Sequence, residues 1–168
     1  MLKIRRKSIE VIFCIALDFY KIYKLFNDRI ITYRALRTQF EIYSYKEGEL
    51  SRIYFFDLYE EKSRYPYITE ICGLNKEEFV IFYYTDWKFF GQNAYLQFYN
   101  RLSITNKLKL GDLEGKNESY MFLIDQNNLI VELNKKLILL DTKNAIIKNE
   151  FRFQNFYIGG HDFILLNK

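Results

Sequence analysis

Between Asn128 and Phe153 the chain alternates apolar and polar residues in three short runs, and this pattern constrains the fold more than any other stretch. Leu129, Val131 and Leu133 alternate with Ile130, Glu132 and Asn134. Successive side chains of an extended chain point to opposite faces, so one face is apolar and the other mixed. Asn134-Lys135 reads as a turn. Lys136 to Leu140 is mostly apolar, as expected where both faces of a strand are covered. Asp141 to Asn144 reads as a second turn, because Asp and Asn side chains bond nearby backbone amides. From Ile147 the alternation returns. Ile147, Asn149, Phe151 and Phe153 share one face, and Ile146, Lys148, Glu150 and Arg152 the other. Three such runs with short connections predict an antiparallel meander.

The rest of the chain repeats this plan less cleanly. Arg29 to Ala35, Phe40 to Tyr45 and Leu50 to Asp57 read as strands, with Lys46 to Glu49 closing a hairpin through Gly48. Leu58 to Tyr67 is a charged, linker-like loop that ends at Pro66, the one proline. A new unit follows: Ile68 to Cys72, a turn at Asn75 to Glu77, and the apolar run Glu78 to Thr85. Tyr95 to Leu102 and Ser103 to Leu110 make the next pair. Gly111 to Ser119 is a polar turn cluster, and Tyr120 to Ile124 opens the best-ordered unit. Asn155 to Ile158, the turn Gly159-Gly160 and Phe163 to Leu166 complete the series. Units thus start near residues 29, 68 and 120, with a remnant after 154.

The strand "LILLD", the turn "TKN" and the outer strand "AIIKNEF" resemble one blade of a β-propeller, of the WD40-like and quinoprotein-like kind. The resemblance is best over residues 128–153. The Trp-Asp dipeptide of WD40 repeats is absent, and Asp86-Trp87 has the reverse order. The resemblance implies a scaffold of repeated four-stranded sheets and a role in binding other proteins. Propellers close with roughly four to eight blades, and this chain has at most four such units. The expected fold is therefore mainly β, an antiparallel meander, propeller-like and incomplete, in a single domain over residues 1–168. An incomplete propeller leaves strand edges and apolar faces that invite a partner.

The N-terminal region stands apart. Residues 1–7 carry Lys3, Arg5, Arg6 and Lys7, a basic arm that could meet RNA or an acidic partner, or be a solvated terminus. Across residues 8–27, Glu10, Cys14, Asp18, Lys21 and Lys24 recur at helical spacing behind Ser8, a candidate cap. The β-branched Ile9, Val11, Ile12, Ile15 and Ile22 suit a strand pair instead. The helical period makes a helix the expectation. The apolar run Ile9 to Leu17 is too short to span a bilayer and is followed by Asp18 rather than a small-residue cleavage site.

Chemistry is sparsely represented. His161 is the one histidine, so His-based metal spacings are missing. A nucleophilic pair of Cys72 or Cys14 with His161, oriented by Asp162, has no support in the local sequence. Both cysteines sit in apolar runs, where thiols are usually inert. Two cysteines do not make a disulfide scaffold, and a reduced, cytoplasmic compartment is the expectation. Asp125 to Asn128 reads as a turn rather than a calcium loop. No P-loop is present. Net charge is +4, from 25 basic and 21 acidic side chains, too mild for a dedicated duplex-DNA binder.

The sequence thus predicts a non-enzymatic protein-binding module that joins a larger assembly, with no cofactor, no metal and no membrane. Tyr83, Trp87 and Tyr99 are the expected anchors, since Tyr and Trp often dominate interfaces. The alternative is a ribosome- or RNA-associated factor that uses Lys3, Arg5, Arg6 and Lys7 with exposed aromatics.

Overall fold

The computed structural model describes residues 20–25, 28–34, 39–46, 49–58, 66–85, 92–113 and 119–152. These form strands only, in three groups of four. The first group is β1 (Tyr20–Lys24), β2 (Arg29–Arg34), β3 (Gln39–Lys46) and β4 (Glu49–Asp57). The second is β5 (Tyr67–Gly73), β6 (Glu78–Thr85), β7 (Gln92–Asn100) and β8 (Ser103–Leu113). The third is β9 (Met121–Asp125), β10 (Asn128–Leu133), β11 (Lys136–Asp141) and β12 (Ile146–Arg152). Within each group the strands lie side by side in chain order, and every pair is antiparallel. The fold is mainly β: three blade-like meanders, an incomplete propeller-like arrangement.

The third sheet carries the alternation seen between Asn128 and Phe153. Leu129 pairs with Leu140 and Val131 with Ile138, and all four are buried. The turns are made by the expected residues. Asn134 and Lys135 both have positive φ, 53° and 61°, the geometry of a two-residue hairpin turn whose twist matches its strands. Asp141 Oδ1 accepts the backbone N–H groups of Lys143 (2.9 Å) and Asn144 (3.1 Å). Asp125 Oδ1 does the same for Asn127 at 2.7 Å. These bonds to the ionised form hold both carboxyl groups below the ordinary aspartate range, led by the Asn144 amide at Asp141 and by the Asn128 side chain at Asp125.

The second sheet lies between the other two, and β6 shows why its sequence is apolar throughout. Val80, Phe82 and Tyr84 join Leu129, Val131, Leu133, Ile138 and Leu140 of the third sheet in one core. Phe79, Ile81 and Tyr83 join Ile31, Tyr33, Phe40 and Ile42 of the first sheet in another. A strand covered on both faces has no solvent side on which to place polar residues. Each fully buried Phe or Ile contributes roughly 1.5–3 kcal/mol relative to exposure. Rings fill the core between the first two sheets: Phe40 stacks on Tyr33 (4.8 Å) and on Phe56 (4.9 Å), and Phe79 on Tyr99 (4.7 Å). Gly73 lets the first two sheets approach, because a Cβ there would lie 2.9 Å from the backbone carbon of Leu25.

Three readings of the sequence change. The expected helix over residues 8–27 gives way at Tyr20–Lys24 to strand β1, so the first unit opens near residue 20 rather than 29. There Ile22 sits opposite Thr32 and Tyr23 opposite Ile31, so pairing with β2 overrides the helical spacing of the charges. The residues before Tyr20 lie outside the described ones. The expected turn at Gly111 to Ser119 begins later, because β8 runs through Leu113. Gly111, at φ 140°, follows a bulge that shifts the register between Ala94 and Tyr95. The hairpin glycine Gly48, the segment Asn155 to Leu166 and His161 also fall outside the described residues.

Candidate interaction surface

The two outer sheets each pack one face inward, and the strand register shows what the other face presents. On the first sheet, one row across the outward face runs Ile22, Thr32, Glu41, Phe55. The next runs Lys24, Ile30, Tyr43, Arg52. Ile22 and Phe55 are exposed, Phe55 by 49%. Glu41 is the polar centre of this face. Its carboxylate accepts hydrogen bonds from Tyr43 Oη (2.7 Å) and Arg52 Nη1 (3.0 Å). Lys24 and Arg52 put a cation at each end of their row.

On the third sheet the outward rows are more apolar. Phe122, Ile130, Leu139 and Asn149 make one, and Glu132, Leu137 and Phe151 the next. Phe151 is 47% exposed. Glu132 is the one acid in these rows. Its Oε2 is buried and makes no hydrogen bond. Burial accordingly pushes this carboxyl above the ordinary glutamate range. At the sheet's border, β12 is exposed along its whole length, with Ile146 and Ile147 also open to solvent. Lys148 and the shift of register between Leu139 and Leu140 keep this border from being a flat, featureless edge.

Two of the three aromatic anchors expected from sequence lie inside the core instead. Tyr83 is fully buried, and its hydroxyl donates to Gln97 Oε1 at 3.1 Å. Gln97 Nε2 in turn donates to Tyr99 Oη at 2.9 Å. Tyr99 is 3% exposed and packs between Phe79 and Phe56. A strand that is central in its sheet, in a sheet that is central in the stack, offers its aromatics to neighbouring sheets before any partner. Trp87 and the basic residues Lys3, Arg5, Arg6 and Lys7 lie outside the described residues. The exposed Phe55 and Phe151 were not singled out from sequence. The signal is their place on the outward-facing alternation of a first and a last sheet, which is visible only once sheet order is known.

The remaining polar groups hold the sheets together. Between the first and second sheets, Arg29 Nη1 donates to the Lys76 carbonyl at 2.7 Å; within the second sheet, Arg101 Nη2 donates to Glu77 Oε1 at 2.9 Å. The Arg101 hydrogen bond holds Glu77 below its usual range. Asn134 Nδ2 reaches the Asp112 carbonyl at 2.6 Å and joins the third sheet to the second. Cys72 is a free thiol, pushed up to about 11 by burial and then by Glu70, so it is protonated at neutral pH and a poor nucleophile. Among the described residues no three of His, Cys, Asp and Glu cluster as metal ligands, and no helix is long and apolar enough to cross a membrane.

No family model matches the chain, and no curated protein matches it. Among solved structures, the chain is similar to the one titled "Crystal structure of Kluyvelomyces marxianus Hsv2", with a TM-score of 0.47 and 11% sequence identity. The match covers 75% of this chain and 36% of that one, so the chain spans little more than a third of that structure's length.

Proposed function

We propose that this chain is a non-enzymatic protein-binding module that joins a larger assembly through the outward faces of its first and third sheets. One observation carries the reading. The second sheet is sealed on both sides by sheets of its own kind, while among the described residues nothing of that kind covers the outer faces, where Ile22, Phe55, Ile124 and Phe151 are exposed. Exposed apolar side chains gathered on a sheet face favour contact with another surface, and aromatic residues are enriched in the cores of such contacts. The partner is a protein with an apolar, sheet-like or strand-like surface.

The test is affinity purification of the full chain from its native source, alongside Phe55→Asp and Phe151→Asp variants. The expected result is a co-purifying protein whose recovery falls at least tenfold with one variant or both, while circular dichroism of each variant stays that of a β protein. Unchanged recovery with both variants overturns the assignment to these faces.

A further inference from the structure

We propose that one internal water molecule sits at the seam between the second and third sheets, held by the hydroxyl groups of Thr69, Tyr84 and Ser119. It links the bulge of β5 to the segment that leads into β9. This goes beyond the binding role and does not depend on it.

The three hydroxyls come from three stretches of chain. Thr69 belongs to β5, Tyr84 to β6, and Ser119 lies two residues before β9. Tyr84 and Ser119 are 6% and 5% exposed. Tyr84 Oη, Thr69 Oγ1 and Ser119 Oγ are all buried, and none has a hydrogen-bond partner among the described residues. They are nonetheless neighbours. Burial pushes the Tyr84 hydroxyl above the ordinary tyrosine range, and the adjacent Ser119 and Thr69 hydroxyls pull it the other way. The register of β5 on β6 shifts between Ile68 and Glu70, which makes Thr69 the extra residue of a bulge. Ile68 and Ile71 accordingly both enter the core shared with the first sheet, although they are three residues apart. A bulge re-aims a side chain, and here it frees Thr69 from the strand's alternation.

The chemistry of the three groups selects what joins them. A buried hydroxyl without a partner is costly, and native structures rarely leave one so. Each hydroxyl can donate one hydrogen bond and accept two. None carries charge at neutral pH, Tyr84 least of all because burial favours its protonated form. Neutral hydroxyls alone are poor ligands for a metal ion, and among the described residues no three of His, Cys, Asp and Glu gather to assist them. A water molecule both donates and accepts, and in protein interiors it makes about three hydrogen bonds to groups that lack other partners. Donating to two of these oxygens and accepting from the third satisfies all three.

The experiment is a crystal structure of the full chain at a resolution that shows ordered water. The expected result is one water peak about 2.5–3.0 Å from all three oxygens. Direct hydrogen bonds among the three hydroxyls, another group of the protein in that place, or no peak there overturns the proposal. In solution, oxygen-17 relaxation dispersion counts the waters that a protein holds for longer than it takes to tumble. T69V and Y84F each remove one hydroxyl and nearly keep the side chain's shape. The double variant is expected to hold one long-lived water fewer than wild type. An unchanged count overturns the proposal, and the wild-type crystal structure decides the matter where the double variant does not fold.

Discussion

Ile81 and Phe82 are consecutive residues of β6, yet their side chains enter different cores: Ile81 packs toward the first sheet and Phe82 toward the third. Both are fully buried. The second sheet is therefore a partition with a separate apolar filling on each side. Ile81→Val removes one methylene and is expected to cost about 0.5–1.5 kcal/mol, and Phe82→Leu about 1–3 kcal/mol. Because the two side chains enter different cores, the double variant is expected to equal the sum within about 0.5 kcal/mol. Urea unfolding of the three variants checks this; a coupling above about 1 kcal/mol shows that the two cores yield together.

Gly73→Ala tests how closely the first two sheets are spaced. The added methyl meets backbone atoms of Leu25 at 2.9 and 3.0 Å, which a rotamer change cannot relieve. The expected loss is about 1–3 kcal/mol. Hydrogen exchange is expected to quicken in β1 and β5 more than in the third sheet.

Lys135→Gly is expected to stabilise. Lys135 holds φ at 61° in the turn between β10 and β11, where a side chain is strained and glycine is not. The gain is about 0.5–1 kcal/mol, read as a higher urea midpoint. The neighbouring Asn134 at φ 53° is a poor target for the same change, because its side chain holds the Asp112 carbonyl.

Glu132→Gln separates burial from charge. Burial raises the folded carboxyl above its unfolded value of about 4.3. Its contribution to stability is therefore fully present below that value and is lost as pH rises through the folded one. The Gln variant is expected to be more stable than wild type at pH 7, by up to about 1 kcal/mol. The difference is expected to shrink toward pH 4. Equal midpoints at both pH values show that water already reaches the carboxylate.

Strand positions were legible in this sequence because alternation and turn chemistry are local. Glu78–Thr85 is bounded as its apolar run is bounded, and Asp141 caps its turn as its side chain allows. What the sequence concealed depends on the order of the sheets. Tyr83 looks like an interface anchor until a neighbouring sheet is laid over it, and Phe55 is told apart from the inward-facing Tyr54 and Phe56 only once the inner face of its sheet is known. At β1 two local signals conflict, charges at helical spacing against β-branched residues, and only the partner strand β2 decides between them.

Every hydrogen-bonded neighbour pair in the three sheets joins strands that are consecutive in the chain. Among the described residues, no ladder has to wait for a distant stretch of polypeptide to be made. A nascent chain growing residue by residue can complete each meander before the next emerges. The middle meander then finds its first cover already formed behind it, and gains its second when synthesis reaches Arg152.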